Sequence, residues 1–397
     1  MTNNKSAKKI LAILFVGVML LCFIKNGSYA LVGQWSDYLM QKDVKATDFV
    51  TVTQIDSYYS GDFWHQREFI ELNGFMAKLF NNQGLYSDMD MYITSDGYIE
   101  SSYKPTSTDY EVEQLIAFRD FLEENGINLL YVSEPTKYTD DGEFYEEFGI
   151  ESYGNRNADK FMDRIRQANI NCIDLRDNMV EEGIEAKDMF YRTDHHWNIP
   201  AGLWATGHIA EGLNEYCGYD IDMSLYDTNN FDSVYWEKSW LGEQGRKVGK
   251  SYVGLDDYTK MTPKYETSFL FKNDDGSTTA GDFSGFISDG IYNTENDVYE
   301  NLSWHYSYSI EDCINNNIDN GKVLLLADSY AMATEPFLAL GVHEIDCLFL
   351  RQMDPRLSIR DYILENGYDT VVMAYAQIAI GSHDDGTNAN YNAFRLD

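Results

Sequence analysis

Asp194, His196 and Ser329 are the residue types that acyl chemistry on a serine hydroxyl requires. One supplies the nucleophile, one takes its proton, and a carboxylate holds the base in a single tautomer. Asp194 and His196 stand in TDHHWN, Thr193 to Asn198, which packs an acid, two imidazoles and an aromatic into one short segment. On an extended segment residues i and i+2 face the same way, so Asp194 can reach His196 while His195 points elsewhere. His196 is therefore the expected base, and His195 a structural or substrate-contacting residue. Ser329 lies far along the chain in LLLADSY, Leu324 to Tyr330, an apolar run that stops at Asp328-Ser329. Functional groups of open α/β sheets gather beyond the carboxyl ends of strands. A helix start after Ser329 would offer amides and a dipole that favour an oxyanion.

Blander readings of the same residues exist. Asp328-Ser329 suits a helix cap, and Asp194 a second cap beside surface histidines. The Asp-His-His run also admits a metal site like that of the DHH phosphoesterases. Such sites need further acidic residues on neighbouring strand ends, and adjacent histidines do not easily share one ion. No metal and no organic cofactor is expected.

The elements that must bring these residues together are legible as a βα rhythm. Helical spacing covers Tyr110 to Glu124, Asn157 to Ala168 and Ile199 to Glu215, with Pro200 suited to a first turn. Short β-rich runs cover Ile127 to Val132, Cys172 to Leu175, Val323 to Ala327, Ile345 to Leu350 and Thr370 to Ala374. Strands alternating with helices of this length indicate a parallel sheet with covering helices. Between about 225 and 305 the rhythm breaks into Asp, Asn, Gly, Tyr and Ser with short β-like runs, which reads as an embedded insertion.

Composition sets the outer bounds. The 397 residues carry a formal charge of −35, which supplies no basic stripe for nucleic acid. Hydrophobic residues make up 44% and aromatics 15%, enough for a large core. The N-terminus departs from this acidity: Lys5, Lys8 and Lys9 precede the uncharged run Ile10 to Ile24, and Lys25 closes it. This is the pattern of an export signal. Extended to Val32 it is a single-pass anchor, and Ser28-Tyr29-Ala30 offers a cleavage site that would release the protein. The expected organisation is a signal anchor or peptide over 1–32, a membrane-proximal lead-in over 33–94, and one α/β domain over 95–397 facing outward. Cys172, Cys217, Cys313 and Cys347 are irregularly spaced, so buried thiols are expected rather than a metal or redox motif.

Three segments together carry a family resemblance: YVSEPTKYTDDGEFY (Tyr131 to Tyr145), YRTDHHWNIPAG (Tyr191 to Gly202) and VLLLADSY (Val323 to Tyr330). In types and order they resemble the bacterial DHHW proteins, relatives of the alginate O-acetyltransferase proteins in the SGNH-hydrolase-like superfamily. More distantly they are similar to the protein that completes D-alanylation of teichoic acids. The resemblance spans about 95–380 and implies an SGNH-like α/β fold with a triad of Ser329, His196 and Asp194. It also implies a Pro-x-Lys loop placing Pro135 and Lys137 near the site, and an insertion in which WLGEQGRKVG (Trp240 to Gly249), with Arg246, and GLDDY (Gly254 to Tyr258) line a sugar groove. One position departs: the family's Gly-Asp-Ser reads Ala327-Asp328-Ser329 here, which alters a turn that glycine would leave open. No oxyanion-hole asparagine is recognisable, and Tyr375, Gln377 and Lys137 are the nearest polar candidates. Tyr330 and His195 are candidate substrate contacts.

The expected function is transfer of an acyl group, in the first place acetyl, to a surface or secreted polysaccharide. The resemblance implies a membrane-bound O-acyltransferase as acyl supplier. A carbohydrate acetyl esterase is the alternative within the same triad. A non-catalytic polysaccharide-binding scaffold is the alternative outside it, with Tyr235, Trp236, Trp240, Tyr258, Trp304 and Tyr306 as sugar-stacking rings.

Overall fold

The computed structural model describes residues 65–84, 90–138, 140–287, 298–299, 308–384, 386 and 390–397, with a few helical positions between 13 and 25. Most of the lysine-flanked apolar run and the stretch 33–64 lie outside the described residues, as do Trp304 and Tyr306. Among the described residues no helix is long and apolar enough to cross a membrane. The chain divides into two compact units at Asn73/Gly74, and everything below belongs to 74–397.

The rhythm read from the sequence is present as one eight-stranded sheet in the order β4-β3-β12-β10-β11-β9-β7-β8. Five strands run parallel: β3 (Asn128–Glu134), β4 (Cys172–Asp174), β10 (Lys322–Ala327), β11 (Glu344–Leu348) and β12 (Thr370–Ala376). The central strands are buried on both faces, which explains their near-continuous apolar runs. Alternation divides them between two cores. Leu130, Val132, Val323, Leu325, Val372 and Ala374 point to one core. Leu129, Tyr131, Leu324, Leu326, Val371, Met373 and Tyr375 point to the other.

The first core is roofed by α7 (Ile199–Cys217), capped by the Asn198 side chain on the Ala201 amide and closed at Gly218 in the left-handed region. The second is covered by α2 (Asp109–Glu124), α4 (Gly154–Gln167) and α11 (Ile359–Asn366). The helices expected over 110–124, 157–168 and 199–215 are all present, and their bounds move by only a few residues.

The region read as an insertion divides its material. One part extends the main sheet: β7 (Phe269–Lys272) and β8 (Thr278–Gly281), joined through β9 (Cys313–Asn315) just after the region, add antiparallel strands beyond β11. The other part is a separate hairpin of β5 (Phe231–Trp240) and β6 (Asp256–Pro263). Two short helices, α8 (Glu243–Val248) and α9 (Lys250–Val253), sit at its closed end. A small ladder of β1 (Tyr92–Ile93) and β2 (Ile99–Glu100) precedes the sheet in sequence. Cys172, Cys217, Cys313 and Cys347 are free thiols.

Candidate active site

Each member of the Asp194, His196 and Ser329 set is delivered by a different constraint. Ser329 follows the end of β10 as the first residue of a short 3-10 turn, Ser329–Ala333. Asp328 fixes that turn: its Oδ1 accepts from the Tyr330 amide at 3.0 Å and its Oδ2 from the Ala376 amide of β12 at 2.9 Å. The Asp328 cap and the half-buried nucleophile are thus parts of one device. The turn does not start a regular helix, and the Tyr330 amide is already engaged by the cap.

Asp194 and His196 sit just before α7, where Trp197 is fully buried and donates Nε1–H to the Tyr330 carbonyl at 3.1 Å. This bond ties the imidazole segment to the nucleophile turn. At Gly202, a Cβ would meet the Ala333 carbonyl oxygen at 2.1 Å, so α7 approaches the turn at backbone distance. The His196 ring bridges the two segments. Its Nε2 lies 2.7 Å from Ser329 Oγ and its Nδ1 2.7 Å from Asp194 Oδ1.

Asp194 is buried, and burial alone would raise its carboxyl pKa. The His196 hydrogen bond, the two imidazole charges and the Glu243 amide on Oδ2 at 2.8 Å outweigh it and hold the carboxyl well below the usual range. The carboxylate therefore stays ionised, as a group that orients a base must.

The hairpin clamps the segment that carries these residues. Asp256, at the start of β6, accepts the Arg192 amide at 2.8 Å, the Thr193 amide at 2.9 Å and the Thr193 hydroxyl. The Gly242 amide donates to Thr193 Oγ1 and the Gly245 amide to the Thr193 carbonyl. Both glycines are needed for contact: a Cβ on Gly242 would lie 2.4 Å from the Thr193 carbonyl oxygen, and one on Gly245 2.7 Å from the Thr193 Cβ.

Beside the triad opens a cavity of about 270 Å³. His195, Tyr330 and Lys137 line it, so these three candidates are brought to one place. His195 stacks on His196 with ring centroids 3.9 Å apart and keeps about 40% of its side chain open. Its crowded surroundings and the neighbouring His196 charge lower its pKa to about 4, so it is neutral near pH 7. Tyr330 donates its hydroxyl to the His195 carbonyl at 2.6 Å. Lys137 is buried and spans the Ile99 carbonyl at 2.7 Å and the Arg192 carbonyl at 3.3 Å.

Other candidates lie elsewhere. Tyr375 is a core residue packed on Phe394 across the sheet, because the period of β12 turns it away from its neighbours Ala374 and Ala376. Gln377 is held between the Thr136 hydroxyl and Asn155, behind the cavity wall. Arg246 bonds back to the Leu241 carbonyl through Nε and does not line the cavity. Of the aromatic rings proposed for sugar stacking, Trp240 and Tyr258 are fully buried, while Tyr235 is 58% exposed. The sequence reading missed Asp256 as the clamp on the base segment, and Glu100 and Tyr103, which line the cavity together with Gln244 of the run WLGEQGRKVG. Asp256 stood in the quoted segment GLDDY, but nothing local distinguished it from its neighbour Asp257.

Asp194, His195 and His196 present ligand atoms within 4.8 Å of one another. A metal ion there would have to take Asp194 Oδ1 from His196 or His196 Nε2 from Ser329, so the donor set fits the hydrogen-bonded triad better. A larger groove of about 910 Å³ runs past the end of β4. Its Arg156 and Arg176 are paired with Asp141 and Asp174, and Arg166 with Asp177. It offers no nucleophile and base in contact.

Comparison with known proteins agrees with the resemblance read from the motifs. A family model described as the SGNH-hydrolase-like domain of the acetyltransferase AlgX matches residues 91–222. No curated protein matches the chain. Among solved structures, Bacillus cereus PatB1 is similar with a TM-score of 0.58 at 17% identity, covering 77% of this chain and 99% of that one. The same protein is also known with a sulfonyl adduct. A DHHW family protein from Eubacterium siraeum is similar with a TM-score of 0.52 at 18% identity, covering 76% of this chain and 94% of that one. The fold is thus the SGNH-like α/β fold expected from the sequence.

Proposed function

We propose that this chain is a serine acyltransferase that moves an acetyl group onto a hydroxyl of a polysaccharide. The observation that carries the reading is the unbroken relay from Ser329 Oγ through His196 to Asp194, with two contacts of 2.7 Å, beside a cavity. The match of 91–222 to an acetyltransferase domain supports it.

In the first half-reaction Ser329 Oγ attacks the donor carbonyl while His196 Nε2 takes its proton. Asp194 steadies the imidazolium through Nδ1–H. The Ser329 amide, at the head of the turn, is the donor for the oxyanion, a contact worth about 2.7–4 kcal/mol. Collapse expels the donor's leaving group, which takes the proton from His196 and leaves an acetyl ester on Ser329. In the second half-reaction a sugar hydroxyl gives its proton to His196 and attacks the ester, and the proton returns to Ser329 Oγ. If water replaces the sugar, the outcome is an esterase.

The lysine-flanked run at 10–24 supports placing the domain outside the cytoplasm, held at the membrane or released if residues 1–30 are removed. A membrane-bound O-acyltransferase would then supply the acyl group.

Labelling with a sulfonyl fluoride tests the nucleophile, a reagent class suggested by the sulfonyl adduct of PatB1. Ser329 should be modified and Ser329→Ala should not. A chromogenic acetyl ester with and without oligosaccharide then separates transfer from hydrolysis. Label found on another residue, or ester turnover equal in Ser329→Ala, would refute the reading.

A further inference from the structure

Within the cavity, Glu100 and Gln244 each bury a side-chain oxygen that lacks a hydrogen-bond donor among the described residues, and of the two only Glu100 can carry charge. It ends β2, is 7% exposed, and its Oε1 has no hydrogen-bond partner among the described residues. A buried carboxyl oxygen without a donor costs roughly 1–3 kcal/mol, and Glu100 lines the space where a substrate would sit. Resting on the acyl-transfer reading of Ser329, we propose that Glu100 and the wall around it select an uncharged sugar hydroxyl as acceptor and turn away a sugar bearing a carboxylate.

The wall supports this by what its charges already do. Lys137 is the one lysine or arginine among the described lining residues. Two of its donors are taken by the Ile99 and Arg192 carbonyls, and its charge is set against Glu100. Asp90 adds a second carboxyl, its Oδ1 accepting from the Ser102 hydroxyl at 2.8 Å. His195 contributes no charge near pH 7. Outside the lining, Lys187 and Asp96 act on Glu100 with opposite signs. A uronate entering this space would meet no unneutralised cation and one or two carboxyls. A sugar hydroxyl would give the Glu100 oxygen its missing donor. Tyr103, whose pKa burial raises, stays a phenol that can donate to a ring or glycosidic oxygen.

The test is calorimetric binding to the full chain carrying Ser329→Ala, so that nothing turns over. The ligands are neutral pentaoses of glucose, mannose and N-acetylglucosamine, set against pentagalacturonate. At least one neutral pentaose should bind tenfold more tightly than the uronate. Glu100→Gln in the same background, shown to be folded by near-ultraviolet circular dichroism, should narrow the ratio below threefold. Equal or tighter uronate binding, no neutral pentaose bound at millimolar concentration, or a ratio unmoved by Glu100→Gln would each overturn the proposal. Sulfonyl labelling of Ser329 reports on the triad separately, so a labelled serine with failed selectivity discards this acceptor class alone.

Discussion

Three side chains converge within hydrogen-bond reach, and each contributes only through the others. Ser329→Ala and His196→Ala should each lower turnover of an acetyl ester by roughly 10⁶-fold. Asp194→Asn should cost less, about 10⁴-fold, because an amide no longer holds Nδ1 as the protonated nitrogen while nucleophile and base remain. Since the three act as a unit, Asp194→Asn added to Ser329→Ala should cost no more than Ser329→Ala alone. Multiplying losses in the double variant would show that the residues act independently. Glu100 gives a pH prediction of its own, since burial raises its pKa from 4.5 to about 7. Below pH 4.5 folded and unfolded chains both keep the proton. Between pH 4.5 and 7 the unfolded chain loses it first, so this group destabilises the fold as pH rises, by on the order of 3 kcal/mol. Glu100→Gln should therefore be the more stable form at pH 7.5, with an advantage that shrinks toward pH 4.5. Urea midpoints at the two values measure it, and an advantage independent of pH would remove the assigned cause.

At the scale of elements, what the sequence revealed and what it hid follow from distance along the chain. The strands β3, β10 and β12 carry short apolar runs, and α7 has a proline at its start, so local pattern sufficed. Asp194 and His196 were legible because an i, i+2 relation is local. The clamp was not, because Asp256 reaches Thr193 across 63 residues and its carboxylate looks like any other on an acidic chain. Tyr375 misled for the opposite reason: its position after an apolar run suggested a strand-end polar group, whereas the strand continues to Ala376 and its period faces the ring into the far core. Glu100 lay on a two-residue strand, too short for any periodicity to announce. The clamp yields a prediction. Asp256→Ala leaves the buried Thr193 donors and the half-buried Arg192 amide without an acceptor, at about 1–3 kcal/mol per buried unsatisfied group, and it should lower both melting temperature and turnover. Gly202→Ala forces α7 away from the Ser329 turn by pressing on the Ala333 carbonyl. It should depress ester turnover at temperatures where the protein remains folded. Unchanged turnover in a folded Gly202→Ala protein would show that the close approach of helix and turn is not needed to set the triad.

On the whole molecule, a formal charge of −35 acts on an acceptor before any contact forms. At 0.01 M ionic strength the Debye length is about 30 Å and at 0.15 M about 8 Å, so the field of the entire acidic surface reaches an approaching chain in one condition and only nearby groups do in the other. Long-range fields of this kind change encounter rates by roughly 10–10³-fold. An acceptor of the neutral class should feel none of it. Acetylation of neutral pentaoses, measured well below saturation, should therefore stay flat as salt is raised between these limits, while the slower reaction of pentagalacturonate should accelerate severalfold. Salt relieves repulsion at a distance but does not supply the unneutralised cation that the cavity lacks, so the uronate should remain the poorer acceptor at 0.15 M. A uronate reaction that slows with salt would mean net attraction of the uronate, and would reverse the electrostatic argument for the acceptor.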